Sequence, residues 1–320
     1  MRIVSLLPSA TEIICLLGLR DQLVGVTHEC DYPGSVIGLP QVTASLIPEQ
    51  ADSIDIDRCV REQLTTKQAL YRLNMPVLEA LRPDLIITQA LCDVCAVAAE
   101  EVEMAACSLP GRPQVINLEP QCLDDVLKTI TRVGEITGRR ARATQVVTGL
   151  SSRIERVQTL TRERLALDDR PRTAFLEWID PPFGPGHWNV EMIAMAGGKD
   201  MLGQDRHHAS RISWDRIMAA RPEVMLISCC GFDLPRSLQD MPLLARQAGW
   251  NALPCVSKGR VYVVDGNAYF SRPGPRLVDS LEILAHALHP DVHPLPDHFP
   301  EMTWRSSRGI ATVSPAGGYQ

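Results

Sequence analysis

The sequence predicts an α/β fold of two lobes, each built on a parallel sheet, joined by a long helix and leaving a ligand cleft between them. Three observations predict it. Short apolar runs alternate with helical patterns along most of the chain, as they do where helices cover both faces of a parallel sheet. A helical pattern with few large hydrophobes, about 138–167, separates two such alternations and would run ~45 Å at 1.5 Å per residue. Finally, Ala80-Leu81-Arg82-Pro83-Asp84-Leu85-Ile86-Ile87-Thr88 is echoed by Ala220-Arg221-Pro222-Glu223-Val224-Met225-Leu226-Ile227-Ser228: a helix end, a proline break, an acidic residue and a buried strand.

In the first alternation, residues 2–7 read as a buried strand. Ser9-Ala10-Thr11-Glu12 matches a capping box for a helix that stops near Gly18. A strand follows at 23–26, then the polar loop Thr27–Pro33, a helix at 58–73, a short helix from Pro76 to Leu81, a strand at 84–88, a helix at 96–107 and a strand at 114–118. The pattern over 121–167 is helical with a break near Thr137-Gly138. Strands are expected again near 172–178, 223–228 and 260–264, with helices near 189–196, 213–220, 236–247 and 275–288. The tail from Pro290 shows little periodicity and is expected to be extended over the surface or disordered. The expected division is 1–119 and 169–290 as Rossmann-like lobes, 120–168 as the helical connection and 291–320 as the tail.

The chain has 320 residues and a net charge of −6, which argues against a nucleic-acid backbone as partner. Its 28 Arg against four Lys form no dense basic patch. No stretch reaches the ~18 apolar residues that span a bilayer. The opening residues show no secretory leader pattern, and the ten Cys fit a reducing compartment, so a cytoplasmic location is expected, or a periplasmic one by an unrecognised export route. No P-loop, GxSxG, HExxH or strand-following GxGxxG is present, and nothing names a reaction; a protein that binds without catalysis is expected.

Ligands of open parallel sheets bind at the carboxyl ends of the strands. Those ends carry His28, Glu29, Cys30 and Tyr32; Gln89, Cys92 and Cys95; Trp178, Asp180, Phe183, His187 and Trp188; Cys229 and Cys230; and Tyr269, Phe270 and Arg272. Residues 175–188 pack two Trp, two Phe, three Pro and a His into fourteen positions, a stiff aromatic loop suited to a bulky flat ligand or, alternatively, to packing between lobes. Cys92-Asp93-Val94-Cys95 at a helix start favours thiolate. With His28 and Cys30 it could supply four ligands to zinc or iron; the alternatives are a thiol-dependent redox pair or two structural thiols. His207-His208 reads as exposed loop.

Arg2–Glu12, Val24-Gly25-Val26 with Asp31-Tyr32-Pro33, Arg82–Ile87, Pro181-Pro182-Phe183, Ala196-Gly197-Gly198 and Tyr269–Arg276 together resemble, in order, the class III periplasmic binding proteins of ABC importers, and among them the cobalamin-binding branch. The resemblance implies two α/β lobes with cobalamin, or a related tetrapyrrole, held between them as ligand and not as cofactor. It implies that Trp178 and Phe183 form a second-lobe wall, with Tyr269 and Arg272 on the far side of the cleft, and that Arg272 hydrogen-bonds ligand amide or phosphate groups. It further implies docking on an importer permease through one acidic residue per lobe: Asp215 in the second, and Glu100, Glu101 or Glu103 in the first. The sequence departs from the family where Gln89 and the CxxC stand near a usual aromatic, and where Ala268 stands near a usual acid.

Overall fold

A computed structural model describes residues 1–46, 52–66, 70–89, 99–204, 207–295, 302–306 and 309–313. The chain divides into two compact units, Met1–Gly149 and Leu150–Gln320.

The first unit runs β1 (Ile3–Ser5), α1 (Pro8–Leu16), β2 (Leu23–Gly25), β3 (Thr43–Ser45), α2 (Ser53–Thr66), β4 (Tyr71–Leu73), α3 (Met75–Leu81), β5 (Leu85–Thr88), α4 (Ala99–Ser108), β6 (Gln114–Asn117), α5 (Leu123–Ile136) and the first part of α6 (Arg140–Arg164). Its main sheet has the order β2-β1-β5-β6, all parallel, with Ile3 opposite both Leu23 and Leu85, and Leu85 opposite Gln114. Ile3, Val4, Ile86 and Ile87 are fully buried because helices cover both faces, which is why these strands read as unbroken apolar runs.

The expected capping box does not form. Pro8 takes the first helical position, where its missing N–H is no loss, so Ser9 lies inside α1 and Leu7 caps it without a side-chain bond. The expected stop is present: Gly18 sits at φ +72°, its N–H reaches Cys15 O at 3.0 Å, and Leu19 N–H reaches Ile14 O at 3.0 Å. The single helix expected over 58–73 is also corrected. The helix ends at Thr66, and Tyr71–Leu73 pairs antiparallel with β3, Tyr71 opposite Ser45. Long-range pairing overrides local pattern there.

The second unit holds the rest of α6, then β7 (Arg172–Leu176), α7 (Trp188–Met195), β8 (Lys199–Asp200), α8 (Trp214–Ala220), β9 (Val224–Ile227), α9 (Leu234–Ala245), α10 (Pro254–Ser257), β10 (Val261–Val263), α11 (Leu277–Leu288), β11 (Met302–Ser306) and β12 (Gly309–Val313). Its sheet has the order β12-β11-β10-β9-β7-β8. The four strands β8, β7, β9 and β10 are parallel, and all of Val224–Ile227 are fully buried. The tail is not merely extended over the surface. β11 pairs antiparallel with β10, Tyr262 opposite Trp304, and β12 pairs with β11. Without them β10 would be an open edge with unpaired backbone groups.

The internal echo has a physical basis. Arg82 and Arg221 end α3 and α8 in the left-handed conformation at φ 45° and 46°. Asp84 and Glu223 then accept the backbone N–H of Arg2 and Arg172 at 2.7 and 3.1 Å, at the starts of β1 and β7. The same device thus joins β1 to β5 in the first unit and β7 to β9 in the second.

Within the second unit, Arg153 of α6 bonds Asp279 at 2.5 Å and both oxygens of Glu282 at 3.1 and 2.6 Å on α11. The carboxylates are only 18% and 15% exposed, the guanidinium 33%. Removing one partner strands the other two, at a cost reduced by the arginine's access to water. Arg153→Met is expected to lower the stability of this unit by about 1–3 kcal/mol, read as a lower urea midpoint at unchanged slope.

Candidate functional site

The carboxyl ends of the parallel strands carry the polar and aromatic groups of each unit. In the first unit, the backbone after β2 turns through Thr27 to Cys30 and brings His28 against the β3–β4 ribbon. His28 Nδ1 lies 2.8 Å from Thr43 Oγ1, and its ring is tilted on Tyr71 with centroids 5.2 Å apart. The Tyr71 hydroxyl donates to Glu29 Oε1 at 2.9 Å. Burial holds the His28 imidazole below its usual pKa, with neighbouring Glu29 opposing the shift, so the ring favours its neutral form. Cys30 points elsewhere: it is buried, with Sγ 3.1 Å from Thr11 Oγ1. Tyr32 is 49% exposed, and Gln89, just past β5, is buried.

Among the described residues no group of three or more His, Cys, Asp or Glu is placed to hold a metal ion. Cys92 and Cys95 lie outside the described residues, so of the four expected ligands only His28 and Cys30 are described, and those two make contacts on different neighbours.

In the second unit the aromatic loop is a tight structure in its own right. Phe183 N–H bonds Trp178 O at 3.2 Å and Glu177 N–H bonds Phe183 O at 3.0 Å, closing 177–183 into a turn. Gly184 and Ile212 bond across to Ser210 and Pro182 at 3.0 and 2.9 Å, which ties in the loop before α8. Trp178 is partly buried, its ring centroid 4.7 Å from that of Phe232, and the Arg236 guanidinium lies 4.2 Å over the Phe232 ring. Gly186 passes so close to the loop carrying His208 that a Cβ there would meet Ala209 N at 2.2 Å. Then His187, at φ 48°, holds a strained backbone position and stacks on Trp188. Burial and the nearby His208 push its pKa down to about 4.

Trp188 is 4% exposed and donates its indole N–H to Phe270 O at 2.7 Å. Its contacts make it a tie between the aromatic loop and the loop after β10. Arg272 is also buried and donates to Asn267 Oδ1 at 2.7 Å within that second loop. Tyr269 remains partly exposed beside Arg276, whose guanidinium lies 5.7 Å from its ring. The structure therefore brings Trp178, Phe183, His187 and Trp188 into one loop and ties it to Phe270, two residues before Arg272.

Sequence reasoning missed Tyr71, placed inside an expected helix, and Phe232, which only the sheet order brings to Trp178. It also passed over Glu177, whose carboxylate between Leu176 and Trp178, at the end of a buried strand, was the available signal. Glu177 Oε1 accepts from Gly186 N–H at 2.7 Å and from Asn189 Nδ2 at 2.8 Å. Burial pushes its pKa up to about 7 against those two donors. Asp215 is exposed in the first turn of α8, Glu103 is exposed on α4 and Glu101 is partly so.

Two α/β units, each presenting polar and aromatic loops at the carboxyl ends of a parallel sheet, define the class of two-lobed ligand-binding proteins. The chain belongs to the periplasmic binding protein family, whose pattern matches residues 3–268, and it is a substrate-binding protein of the ABC-importer type. It is 24% identical over 295 residues to an uncharacterised ABC transporter substrate-binding lipoprotein, YvrC, of Bacillus subtilis, covering 91% of this chain and 80% of that one. It is 24% identical over 266 residues to the vitamin B12-binding protein of Yersinia pseudotuberculosis, covering 78% and 79%. Its fold is similar to that of the periplasmic heme-binding protein RhuT of Roseiflexus sp. RS-1, with a TM-score of 0.67 at 23% identity, covering 90% and 98%. Among the described residues no helix is long and apolar enough to cross a membrane.

Proposed function

We propose that this protein binds a corrinoid of the cobalamin type, without catalysis. The observation that carries the reading is the loop after β7, where the Trp178 ring, backed by Phe232, and the neutral imidazole of His187 sit on a backbone tied down at both ends. A stiff aromatic wall with few polar groups suits a large flat ligand, because it offers contact area at little loss of conformational freedom on binding. The similarity to a vitamin B12-binding protein over most of both chains supports the choice of corrinoid. In the first unit His28, Glu29, Tyr32 and Gln89 are the corresponding contacts, and in the second Phe183 and Tyr269 join Trp178 and His187. The partner that receives the ligand is an ABC importer permease, met by Asp215 and by an acidic residue of α4.

Titrating the purified chain with cyanocobalamin is expected to quench tryptophan fluorescence, through Trp178, with saturation at one ligand per chain. A chain that binds hemin and leaves cyanocobalamin free in equilibrium dialysis would replace the corrinoid by a haem; a chain that binds neither overturns the reading.

A further inference from the structure

Beneath the aromatic loop lies a pair of side chains that ligand contact does not use. Glu177 follows the end of β7 and is partly buried. Asn189, in the first turn of α7, is 3% exposed and gives one amide hydrogen to Glu177 Oε1. The same carboxylate oxygen takes the Gly186 N–H, the residue before His187. Among the described residues Asn189 Oδ1 is buried with no hydrogen-bond partner. A buried acceptor left in that condition costs about 1–3 kcal/mol. A proton changes what Glu177 offers Asn189 from acceptor to donor: after a half-turn of the Asn189 amide, the Glu177 hydroxyl donates to Oδ1 and the Asn189 NH2 gives up its bond to Glu177.

We infer that Glu177 and Asn189 form a proton-operated latch under the aromatic loop, with a charged state in which the carboxylate holds Gly186 and the Asn189 NH2, and a protonated state in which the carboxyl donates to the turned Asn189 amide. The charged state holds Gly186 by a charge-assisted bond, about twice as strong as a neutral one. It therefore fixes His187 and the loop above it more firmly. Glu177 is the positioning residue, and ligand affinity is higher when it is charged. The effect on ligand rests on the proposed binding function; the latch itself does not.

Among the described residues, the neighbouring elements carry the following titratable groups. The loop contributes Asp180 and His187, α7 contributes Glu191, the facing loop contributes His207 and His208, and the turn after β9 contributes Cys229 and Cys230, the latter through its N–H to Glu177 O at 3.1 Å. His187, held near 4, stays neutral through the working range, and burial pushes Cys229 up to about 12, so neither titrates there. Burial places the Glu177 transition near neutrality, at about 7. The sign follows: with its folded value raised, the carboxyl favours the folded state at low pH, and that contribution is lost as pH rises through about 7.

The test is ligand-free first. In the intact chain, the NMR shifts of the Gly186 amide and the Asn189 side-chain NH2 are expected to move together between pH 5.5 and 8.5. They should be still in Glu177→Gln, which is isosteric and cannot titrate, and should keep their midpoint in His208→Asn, which removes the imidazole packed on His187. Shifts that do not titrate in the wild type, or that titrate equally in Glu177→Gln, overturn the latch. The wild-type thermal midpoint should fall across the same range relative to Glu177→Gln. The dissociation constant for cyanocobalamin should then be at least threefold lower at pH 8 than at pH 6 in the wild type and unchanged between them in Glu177→Gln. Equal affinity at both pH values in the wild type overturns the coupling. Titrating shifts with no cyanocobalamin bound at either pH sink the corrinoid reading and leave the latch standing.

Discussion

Gly266→Ala is expected to destabilise the second unit by at least about 3 kcal/mol, the upper end of the range for overfilled sites. Gly266 follows β10 and lies across the turn after β9. A Cβ there would lie 2.0 Å from the Cys229 carbonyl oxygen, 2.7 Å from its carbon and 2.9 Å from its nitrogen. All three are backbone atoms, so no rotamer change relieves the clash. The segments are also stitched together: Gly266 and Asn267 both donate to Phe232 O at 2.9 Å, and Phe232 N–H bonds Cys229 O at 3.0 Å. Moving Gly266 away would break those bonds and displace Phe232 from Trp178. Chemical denaturation followed by circular dichroism measures the loss. Gly149→Ala is the contrast. That glycine lies within α6 with nothing within 4 Å of the added carbon, so the variant should gain about 0.5–1 kcal/mol from helix propensity. Equal midpoints for Gly266→Ala and wild type would show that the two strand-end turns do not pack as described.

Trp178→Ala is expected to weaken cyanocobalamin binding by tenfold to a hundredfold. A tryptophan buries about 150–250 Å² when fully covered, worth ~4–6 kcal/mol at ~25 cal/mol per Å². Here one face is already taken by Phe232, so about a third to a half of that, roughly 1.4–3 kcal/mol, remains for a ligand. The indole N–H is bonded to Asp180 O at 3.2 Å, which fixes the ring plane without a ligand present. The ring is thus pre-positioned, and its loss removes contact area without removing an ordering cost. Trp178→Phe should recover most of the affinity. Isothermal titration at fixed pH gives both values, and a Trp178→Ala protein that binds like the wild type would remove this residue from the ligand wall.

The two cases differ in how far the sequence foretold them. Trp178 was legible, because its loop concentrates aromatic residues and proline where parallel strands end. Nothing local marks Gly266: what makes it irreplaceable is the backbone of Cys229, thirty-seven positions earlier in the chain. The same distinction separates Arg82 and Arg221, where a local helix stop announced itself, from Tyr71, whose strand partner Ser45 is set by pairing alone.

Local chemistry alone determined the alternation of strands and helices, the paired helix–proline–strand units and the loops that carry the candidate contacts. These depend on apolar runs and turn residues that act within a few positions of one another. Tertiary structure decided which of the candidates face outward and which hold the loops in place: Trp188 and Arg272 turned inward to bond Phe270 and Asn267, the tail became two strands, and Glu177 met Asn189. Those outcomes depend on burial and on hydrogen-bond partners that come near only once the chain has folded, and residue type by itself does not encode them.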